Sequence, residues 1–337
     1  MKQIFDVSSI PKAELHAHIE GTATPDLVRR LARRNNMELP TNMFTDEGHY
    51  SWSGFPEFLL AYDRTAACIQ TKEDYYDVAR EYLTSCAEDG AVYVEFFTSP
   101  DNPAVHGIGF EEHLENIALA IEDVQKETGL VARMIVSCVR HLGPEKALAV
   151  AKSIADNPHA HVVGFGMGGD ELKYSVEDFR PAYEIAAEAG LGCTVHAGEA
   201  DGPNSVREAI SLLPVTRIGH GVRAIEDPDV VSEIVNRNIV LEICPNSNLY
   251  TGVYESFSKH PLPDLKEAGC RITLNSDDPP FFFSGIGKEY ADAALHFGLD
   301  EATLTDITRT AIEASFVDDE TKTDLLSGID SKRHLTD

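Results

Sequence analysis

The chain has few basic residues, no closely spaced pair of cysteines and no long apolar run. Its 28 Lys and Arg residues stand against 56 Asp and Glu residues, which gives a formal net charge of −28 over 337 residues. Nucleic-acid backbones and anionic membrane surfaces are negative themselves, so this composition argues against both as partners. The six cysteines form no C-x-x-C pair, so the sequence predicts neither a disulfide framework nor a cysteine zinc site.

The N-terminal segment Met1–Asp6 lacks the long apolar stretch of a signal peptide. No run elsewhere approaches the ~18 consecutive apolar residues that indicate a membrane helix. We therefore expect a cytoplasmic protein. With 43% hydrophobic residues the chain can bury a substantial core. Because no linker, low-complexity tract or internal repeat stands out, we predict one domain over residues 1–337.

Apolar runs typical of strands alternate with helical spacing along most of the chain. Such runs, flanked by helices, are typical of parallel strands that are buried on both faces. The predicted strands are Glu14–Ile19, Val92–Ser99, Val131–Arg140, His161–Gly166, Gly192–Ala197, Arg217–Gly221, Ile239–Cys244 and Arg271–Ser276. Eight β–α units in one chain favour a closed α/β (β/α)8 TIM barrel over a doubly wound sheet.

Helical segments fill the intervals between these strands. Three of them form an excursion between the first two strands, near residues 25–35, 55–67 and 72–87. The later ones lie near residues 110–127, 144–156, 177–189, 204–213, 227–237 and 262–268. A helical tail from Lys288 to about Leu326 would cover one end of the barrel.

The most distinctive stretch is Ala13–Gly21, which contains a His-x-His pair. Strand side chains repeat every two residues, so His16, His18 and Glu20 would share one face of the first strand. The Cα atoms of the two histidines would lie about 7 Å apart, which lets both rings converge on one cation. Imidazole suits zinc and its first-row neighbours. The alternative is a pair of histidines that only hydrogen-bond nearby carbonyl groups.

Further polar side chains follow the C-terminal ends of later strands, where barrel enzymes build their sites. His196 is a third imidazole, and Asp277 is a carboxylate. Three histidines and one aspartate could hold a cation and leave a position for water. The alternatives are a contact of His196 with the next helix, and for Asp277-Asp278 a turn before Pro279.

Glu199 and His220 are titratable groups that such a metal site does not need as ligands. A partly desolvated glutamate can have its pKa raised enough to deliver a proton. A histidine near the attacking water can orient that water and accept its proton. The alternatives are a helix cap for Glu199 and a core position for His220. Gly166 and Gly168-Gly169 suggest a close backbone approach to a flat ligand, although glycine-rich turns often form without one.

Six strings, in order along nearly the whole chain, resemble the adenosine/adenine deaminase family of metal-dependent amidohydrolases. They are "AELHAHIEG", "FGMGGDE", "TVHAGEADGP", "RIGHGVR", "ICPNSN" and "LNSDDPPFF". The resemblance implies a (β/α)8 barrel that acts on a small purine molecule.

The same resemblance implies a role for each matching residue. One Zn2+ would be held by the four candidate ligands, His16, His18, His196 and Asp277. Glu199 would protonate the purine ring nitrogen next to the amine. His220 and Asp278 would handle the attacking water, and the backbone of Gly169 would hydrogen-bond the purine.

Members of this family act on the nucleoside or on the free base. The strings "GGDE", "RIGHG" and "NLYTG" resemble the adenosine branch. Glu20 departs from it, because many adenosine deaminases carry aspartate there against the ribose 5′-hydroxyl, and "HIEG" is common in the free-base branch. We predict a hydrolase that converts adenosine and deoxyadenosine to their inosine products and ammonia, with Glu20 at the substrate. The alternatives are conversion of adenine to hypoxanthine and deamination of a modified adenine nucleoside.

Three other classes fit the sequence less well. A cytidine-type zinc deaminase needs H-x-E and a downstream P-C-x-x-C; His18-Ile19-Glu20 supplies the first, but residues 244–247 do not supply the second. Two-metal hydrolases of this barrel class typically carry a modified lysine at the end of the fourth strand, and residues 161–169 contain no lysine. A protein that only binds metal would need neither Glu199 nor His220 beside the ligands.

Overall fold

The structure, a computed structural model, describes residues 5–333. Within these residues, eight strands form one parallel sheet in which each strand pairs with the next along the chain. They are β1 (Lys12–Glu14), β2 (Ala91–Thr98), β3 (Val131–Val139), β4 (Val162–Gly168), β5 (Gly192–Ala197), β6 (Arg217–His220), β7 (Val240–Ile243) and β8 (Arg271–Leu274). All eight carboxyl ends therefore lie at the same end of the sheet.

The sheet curls until its first and last strands meet. Just past β1 and β8, the N–H of His18 donates to the carbonyl of Asp277 (2.9 Å), and the N–H of Asp277 donates to the carbonyl of His16 (3.0 Å). Leu15 N–H donates to the side chain of Asn275 at 2.8 Å. With helices between the strands, this nearly closed sheet confirms the predicted (β/α)8 barrel.

Helices occupy the predicted intervals. The excursion after β1 holds α1 (Pro25–Arg34), α2 (Gly54–Ala66) and α3 (Lys72–Glu88). Between later strands lie α4 (Asp101–Ala104), α5 (Phe110–Thr128), α6 (Pro144–Asp156), α7 (Arg180–Glu188), α8 (Pro203–Leu212), α9 (Pro228–Asn236), α10 (Pro245–Tyr250) and α11 (Leu262–Glu267). Several begin with proline. Proline suits this position because the first N–H groups of a helix have no partner within the helix, so its missing N–H costs no hydrogen bond. The tail forms α12 (Ile286–Phe297), α13 (Glu301–Ala314) and α14 (Asp319–Arg333).

The first strand departs furthest from its prediction, since β1 covers Lys12–Glu14 and shares only Glu14 with the predicted Glu14–Ile19. β1 ends at Glu14, and Ile19–Thr22 form a 3-10 turn, closed by a hydrogen bond from Thr22 N–H to the His18 carbonyl (3.1 Å). The expectation that Glu20 continues the strand face of His16 and His18 is therefore wrong. Within this turn Gly21 lies against Asp278, and a Cβ atom at position 21 would come within 1.7 Å of the Asp278 Oδ1 atom, so no larger residue fits there.

The loop after α13, together with α14, lies against the amino end of the barrel, as predicted for part of the tail. Phe316, in the loop between α13 and α14, donates its N–H to Glu95 of β2 at 2.6 Å. The guanidinium of Arg217 lies 3.7 Å from the centre of the Phe316 ring. Ile312 and Val317 pack with Tyr93 in a small apolar cluster at this end.

All six cysteines are free and buried, as their apolar surroundings predict for Cys138, Cys193 and Cys244. Among residues 5–333 we find no helix with the length and apolar character needed to cross a bilayer. Residues 1–4 of the N-terminal segment discussed above lie outside the described part of the chain.

Candidate active site

Four potential metal ligands converge at the carboxyl end of the barrel. One donor atom from each lies within 4.8 Å of the others; the residues are His16, His18, His196 and Asp277. The Nε2 atoms of His18 and His196 are 3.1 Å apart, and His18 Nε2 lies 3.3 Å from Asp277 Oδ1. Two of these residues come from the segment after β1, one from β5 and one from the segment after β8. Barrel closure therefore creates the cluster.

Hydrogen bonds behind two of the rings determine which nitrogen faces the cluster. His16 Nδ1 lies 2.8 Å from a carboxylate oxygen of Glu242, and His196 Nδ1 lies 2.8 Å from the carbonyl of Met167. Both partners can only accept, so each Nδ1 carries the proton and each Nε2 presents a lone pair. His16 Nε2 is buried and has no hydrogen-bond partner among the described residues. These donors fit a divalent cation.

The charges around the cluster also favour a cation. Burial acts to lower the pKa of His16, but the carboxylates of Asp277 and Glu242 outweigh it and raise that pKa to about 9. Burial likewise acts to raise the pKa of Asp277, yet the neighbouring imidazoles of His16 and His18 hold it well below its usual value. The Ser247 hydroxyl donates to Asp277 Oδ2 at 2.7 Å and fixes the carboxylate. Positive charge is therefore stabilised where the lone pairs converge.

A second group of four potential ligands shares His16 and Asp277 but adds His220 and Cys244. This group suits a metal less well. Burial, with Asp277 nearby, raises the pKa of the Cys244 thiol well above its usual value, whereas a metal binds the thiolate. We therefore treat the three histidines and Asp277 as the candidate metal centre.

Glu199 lies in the loop after β5, and a second glutamate holds that loop in place. The carboxylate of Glu171 accepts backbone N–H groups from Gly198, Glu199, Ala200 and Asp201 at 2.6–3.1 Å. It also accepts the hydroxyl of Ser205 at 2.6 Å. Burial, followed by the charges of Asp277 and Glu171, raises the pKa of Glu199 well above its usual value. The loop that carries Glu199 is thus held in place beside the candidate metal centre, and burial favours the neutral form of the Glu199 carboxyl group.

His220 and Asp278 complete the polar wall of the site. His220 Nε2 lies 3.6 Å from Glu199 Oε2 and 3.9 Å from Asp277 Oδ2. Asp278 is 3% exposed, and its Oδ1 atom has no hydrogen-bond partner within residues 5–333. Burial and the charges of Asp277 and Glu199 raise the pKa of Asp278 well above its usual value.

Two of these residues have a strained backbone. His220 has φ 58° and Asp277 has φ 62°, in the left-handed region that non-glycine residues rarely adopt. Such strain persists where surrounding contacts impose it, and it clusters at functional sites. Only glycine fits at position 219, just before His220, because a Cβ atom there would lie 2.7 Å from the His16 ring.

A cavity of ≈ 310 Å³ opens onto this wall. Its lining includes every site residue predicted from the sequence except His16, which is fully buried. These lining residues are His18, Glu20, Gly169, His196, Glu199, His220, Asp277 and Asp278. The apolar side comes partly from α2, through Phe55, Phe58 and Leu59. This volume, with apolar walls and a few polar groups, suits a small flat ligand.

Glu20 reaches the cavity from its 3-10 turn rather than from a strand. It is 1% exposed, and the hydroxyl of Tyr62 in α2 donates to its Oε2 atom at 3.1 Å. Burial raises the pKa of Glu20, although Asn102 and Tyr62 oppose that shift. Its Oε1 atom meets no partner with hydrogen-bond geometry among the described residues.

Sequence reasoning assigned no role to the residues that support the site from behind. Glu171 holds the Glu199 loop, Glu242 orients His16, and Ser247 fixes Asp277. The sequence offered one signal for these three residues. Each lies within or after a predicted strand, inside or next to one of the family-like strings. Their partners lie 28 to 226 residues away along the chain, so only the fold identifies what each one contacts.

Comparison with known proteins gives consistent results. The family profile described as "Adenosine deaminase" matches residues 11–332. The chain is 48% identical over 316 residues to "Adenine deaminase" of Chelativorans sp. (strain BNC1), covering 94% of this chain and 97% of that relative. Among solved structures it resembles adenine deaminase from Arthrobacter aurescens, with TM-score 0.89, 31% identity and coverage of 96% and 98%. It also resembles an amidohydrolase from B. ambifaria with bound Zn, with TM-score 0.89, 25% identity and coverage of 99% and 95%.

Proposed function

Since the chain belongs to the adenosine deaminase family, we propose that it hydrolyses adenine to hypoxanthine and ammonia. The observation that carries this proposal is the 48% identity, over 94% of the chain, to a relative named adenine deaminase. Our sequence-based expectation of adenosine finds no such support. The alternative stated with it, the free base, agrees better with the relatives.

Glu20 supports the choice of the free base. Free adenine carries a proton on its five-membered ring, whereas adenosine carries ribose there. A buried carboxylate with one oxygen held by Tyr62 and the other without a partner can accept that ring N–H. A ribose would instead have to fit between the base and this carboxylate.

We assign the metal centre to a single divalent cation, with zinc as the proposed ion. His16, His18, His196 and Asp277 would hold it, because their donor atoms converge and two of the rings present Nε2 lone pairs. When bound, such a cation supplies Lewis acidity that lowers the pKa of a coordinated water to about 7.

The side chains of the chain divide the remaining work between them. Glu199, kept protonated by burial, donates its proton to purine N1, which makes the amine-bearing C6 atom more electrophilic. His220 orients the water that attacks C6. Asp278, which the charge of a bound cation would keep ionised, takes that water's proton and passes it to the amine, so that the C6–N bond breaks and ammonia leaves. The remaining hydroxyl returns its proton to Glu199 as the C6 carbonyl forms. The raised pKa of Asp278 makes it a stronger base than an exposed aspartate. The backbone of Gly169, which lines the cavity, would hydrogen-bond the purine.

A turnover screen tests the substrate directly. Purified enzyme is offered adenine, adenosine, deoxyadenosine, an N6-modified adenine nucleoside and adenine nucleotides, and ammonia release is measured. We expect kcat/KM for adenine to exceed that for every nucleoside and nucleotide. Faster turnover of adenosine would restore the sequence-based expectation, and no ammonia from any of them would reject the deaminase assignment.

A further inference from the structure

A chain of hydrogen bonds runs from His220 away from the cavity. His220 Nδ1 lies 3.2 Å from the side-chain nitrogen of Asn248 in α10, and Asn248 Oδ1 lies 3.1 Å from His260 Nε2. His260 lies between α10 and α11. All three side chains are buried, with exposures of 1%, 0% and 3%. None of the roles described above uses Asn248 or His260.

The far end of this chain fixes the direction of every hydrogen bond in it. The backbone N–H of Leu262 points at His260 Nδ1 at 3.2 Å. A backbone N–H can only donate, so His260 Nδ1 accepts, and the ring carries its proton on Nε2. Burial lowers the pKa of His260 to about 3, which agrees with a neutral ring that has one bare nitrogen.

The proton on His260 then sets the orientation of the Asn248 amide. His260 Nε2–H must meet an acceptor, so the amide oxygen of Asn248 faces it and the amide NH2 faces His220. The orientation of an asparagine amide follows from its hydrogen-bond network, and here a backbone group settles it. An NH2 group can only donate. His220 Nδ1 therefore accepts, and the ring carries its proton on Nε2, the nitrogen that faces the cavity.

We propose that Asn248 and His260 are positioning residues that hold His220 as its Nε2–H tautomer. His220 then donates a hydrogen bond to the attacking water and does not take that water's proton. This replaces the sequence-based idea that His220 both orients the water and accepts its proton. The inference rests on the proposed function for its catalytic meaning, but the tautomer itself is a property of the protein without substrate.

Nitrogen NMR tests the tautomer directly. Long-range proton–nitrogen spectra of 15N-labelled, zinc-loaded enzyme distinguish a bare ring nitrogen from a protonated one, and spectra of H220Q and H260Q assign the two rings. We expect a bare Nδ1 and a protonated Nε2 for both His220 and His260. A protonated Nδ1 on His220 in the unmodified enzyme overturns the proposal, whatever substrate the enzyme proves to use.

Asn248→Asp reverses the direction of the hydrogen bond to His220 while keeping the shape of the side chain. A carboxylate only accepts, so His220 Nδ1 becomes a protonated donor in the spectrum. A histidine held in the wrong tautomer lowers kcat by about 10⁴-fold in serine proteases, so we expect a loss of about 10²–10⁴-fold in kcat with KM little changed. Asn236→Asp makes the same charge change on the exposed end of α9 and should leave both readouts unaltered.

Two substitutions at His260 distinguish a role in positioning His220 from a role in packing alone. In His260→Gln the side-chain amide can still accept from Leu262 and donate to Asn248, so the His220 spectrum and kcat should be retained. His260→Leu cannot do either, and we expect about tenfold lower kcat, the equivalent of one lost hydrogen bond. Equal losses in both variants, or an Asn248→Asp enzyme with unchanged kcat, would contradict the proposal. If Asn248→Asp fails to fold, the spectrum of the unmodified enzyme still decides.

Discussion

The amino and carboxyl ends of the barrel both bury charged side chains, but they satisfy them differently. At the amino end, Arg217 pairs with Glu95 at 2.7 Å and with Glu242 at 2.6 Å, and it stacks on Phe316. At the carboxyl end, His16 Nε2 and Asp278 Oδ1 are buried without a hydrogen-bond partner among residues 5–333. Within the described part of the chain, Arg217 Nε and Nη2 also lack a partner with hydrogen-bond geometry, but two carboxylates match the charge of Arg217. Asp278 at the carboxyl end instead faces the like charges of Asp277 and Glu199.

Glu242 connects the two ends. Its Oε1 atom faces Arg217 and accepts the hydroxyl of Thr194, while its Oε2 atom faces His16. Burial acts to raise the pKa of Glu242, but Arg217 and His16 outweigh it and lower that pKa, so the carboxylate stays ionised. Through Glu242, the paired charges at the amino end thus help to orient the candidate ligand His16, whose Nε2 atom remains available to a metal. Polar groups at the amino end hold the fold and, through Glu242, also orient one candidate ligand, while those at the carboxyl end face the cavity.

The largest expected effect comes from removing a donor at the unsatisfied end. His196→Ala should lower zinc content and activity together, because one of four converging donors is lost. A metal supplies several kcal/mol to the transition state, so we expect turnover to fall about 10³-fold or more. Elemental analysis measures the zinc content, and an ammonia assay measures the activity. The control is His106→Ala, which removes a histidine at an exposed position. Two metals per chain, or full activity after metal removal, would argue against the centre described here.

The next effect comes from the acid at the same end. Glu199→Gln should keep zinc and the melting temperature but lower kcat about 10²–10⁴-fold, since an amide cannot protonate the ring. The protonated acid is the active form and its pKa is raised, so activity of the unmodified enzyme should fall as pH rises through that pKa. The variant should lose this alkaline limb. A loss below about fivefold would remove Glu199 from general acid catalysis, whose usual contribution is far larger.

Glu20 provides a smaller test, at the far side of the cavity. Glu20→Ala removes a charge-assisted hydrogen bond to the ring N–H, worth about 1.5–3 kcal/mol, so kcat/KM for adenine should fall roughly ten- to a hundredfold. The control is 9-methyladenine, which lacks that N–H and should show no further loss in the variant. Equal losses on both molecules would mean that Glu20 supports the fold rather than the substrate.

A substitution at the amino end, where the charges are paired, should change the stability of the protein more than its catalysis. Arg217→Met leaves Glu95 and Glu242 as buried charges without their partner, and breaking such a pair destabilises a protein by about 3–5 kcal/mol. We expect a much lower unfolding midpoint in denaturant and, because Glu242 also holds His16, weaker zinc binding. The kcat of the zinc-saturated enzyme should change far less than in Glu199→Gln. Arg80→Met, which breaks an exposed pair with Glu127, should shift stability by less than ~1 kcal/mol. A large loss of kcat in Arg217→Met would erase the distinction between the two ends.

The smallest effect concerns Glu289, a buried carboxyl group of α12 that does not line the cavity. Burial raises its pKa from 4.5 to about 8, although hydrogen bonds from Ser284 and Asn246 oppose the shift. Its stabilising contribution is therefore complete below pH 4.5 and is lost as pH rises through about 8. Between pH 5.5 and 8.5 the melting temperature of the unmodified protein should fall more than that of Glu289→Gln, by on the order of 2 °C for each kcal/mol. Parallel curves for the two proteins would contradict this.

The sequence predicted the order and type of the elements well, because those depend on local spacing. The predicted and observed strands agree exactly in start and end for Gly192–Ala197, and the helix over residues 144–156 also matches. The β1 prediction failed locally. The same alternation of His16, His18 and Glu20 suits a longer strand, but the chain turns at Ile19–Thr22, where Gly21 packs against Asp278 from the other end of the sequence.

The sequence by itself determined the family, the barrel and a set of candidate residues, since these depend on apolar periodicity and on strings of neighbouring residues. Tertiary structure alone decided which atoms meet. His16 and Asp277 are joined by closure of the first and last strands, and the bond from Glu242 to His16 spans 226 positions. Side-chain spacing along a chain cannot report such distances. Nor can it report the direction of a hydrogen bond, which at His220 depends on a backbone N–H contributed by Leu262.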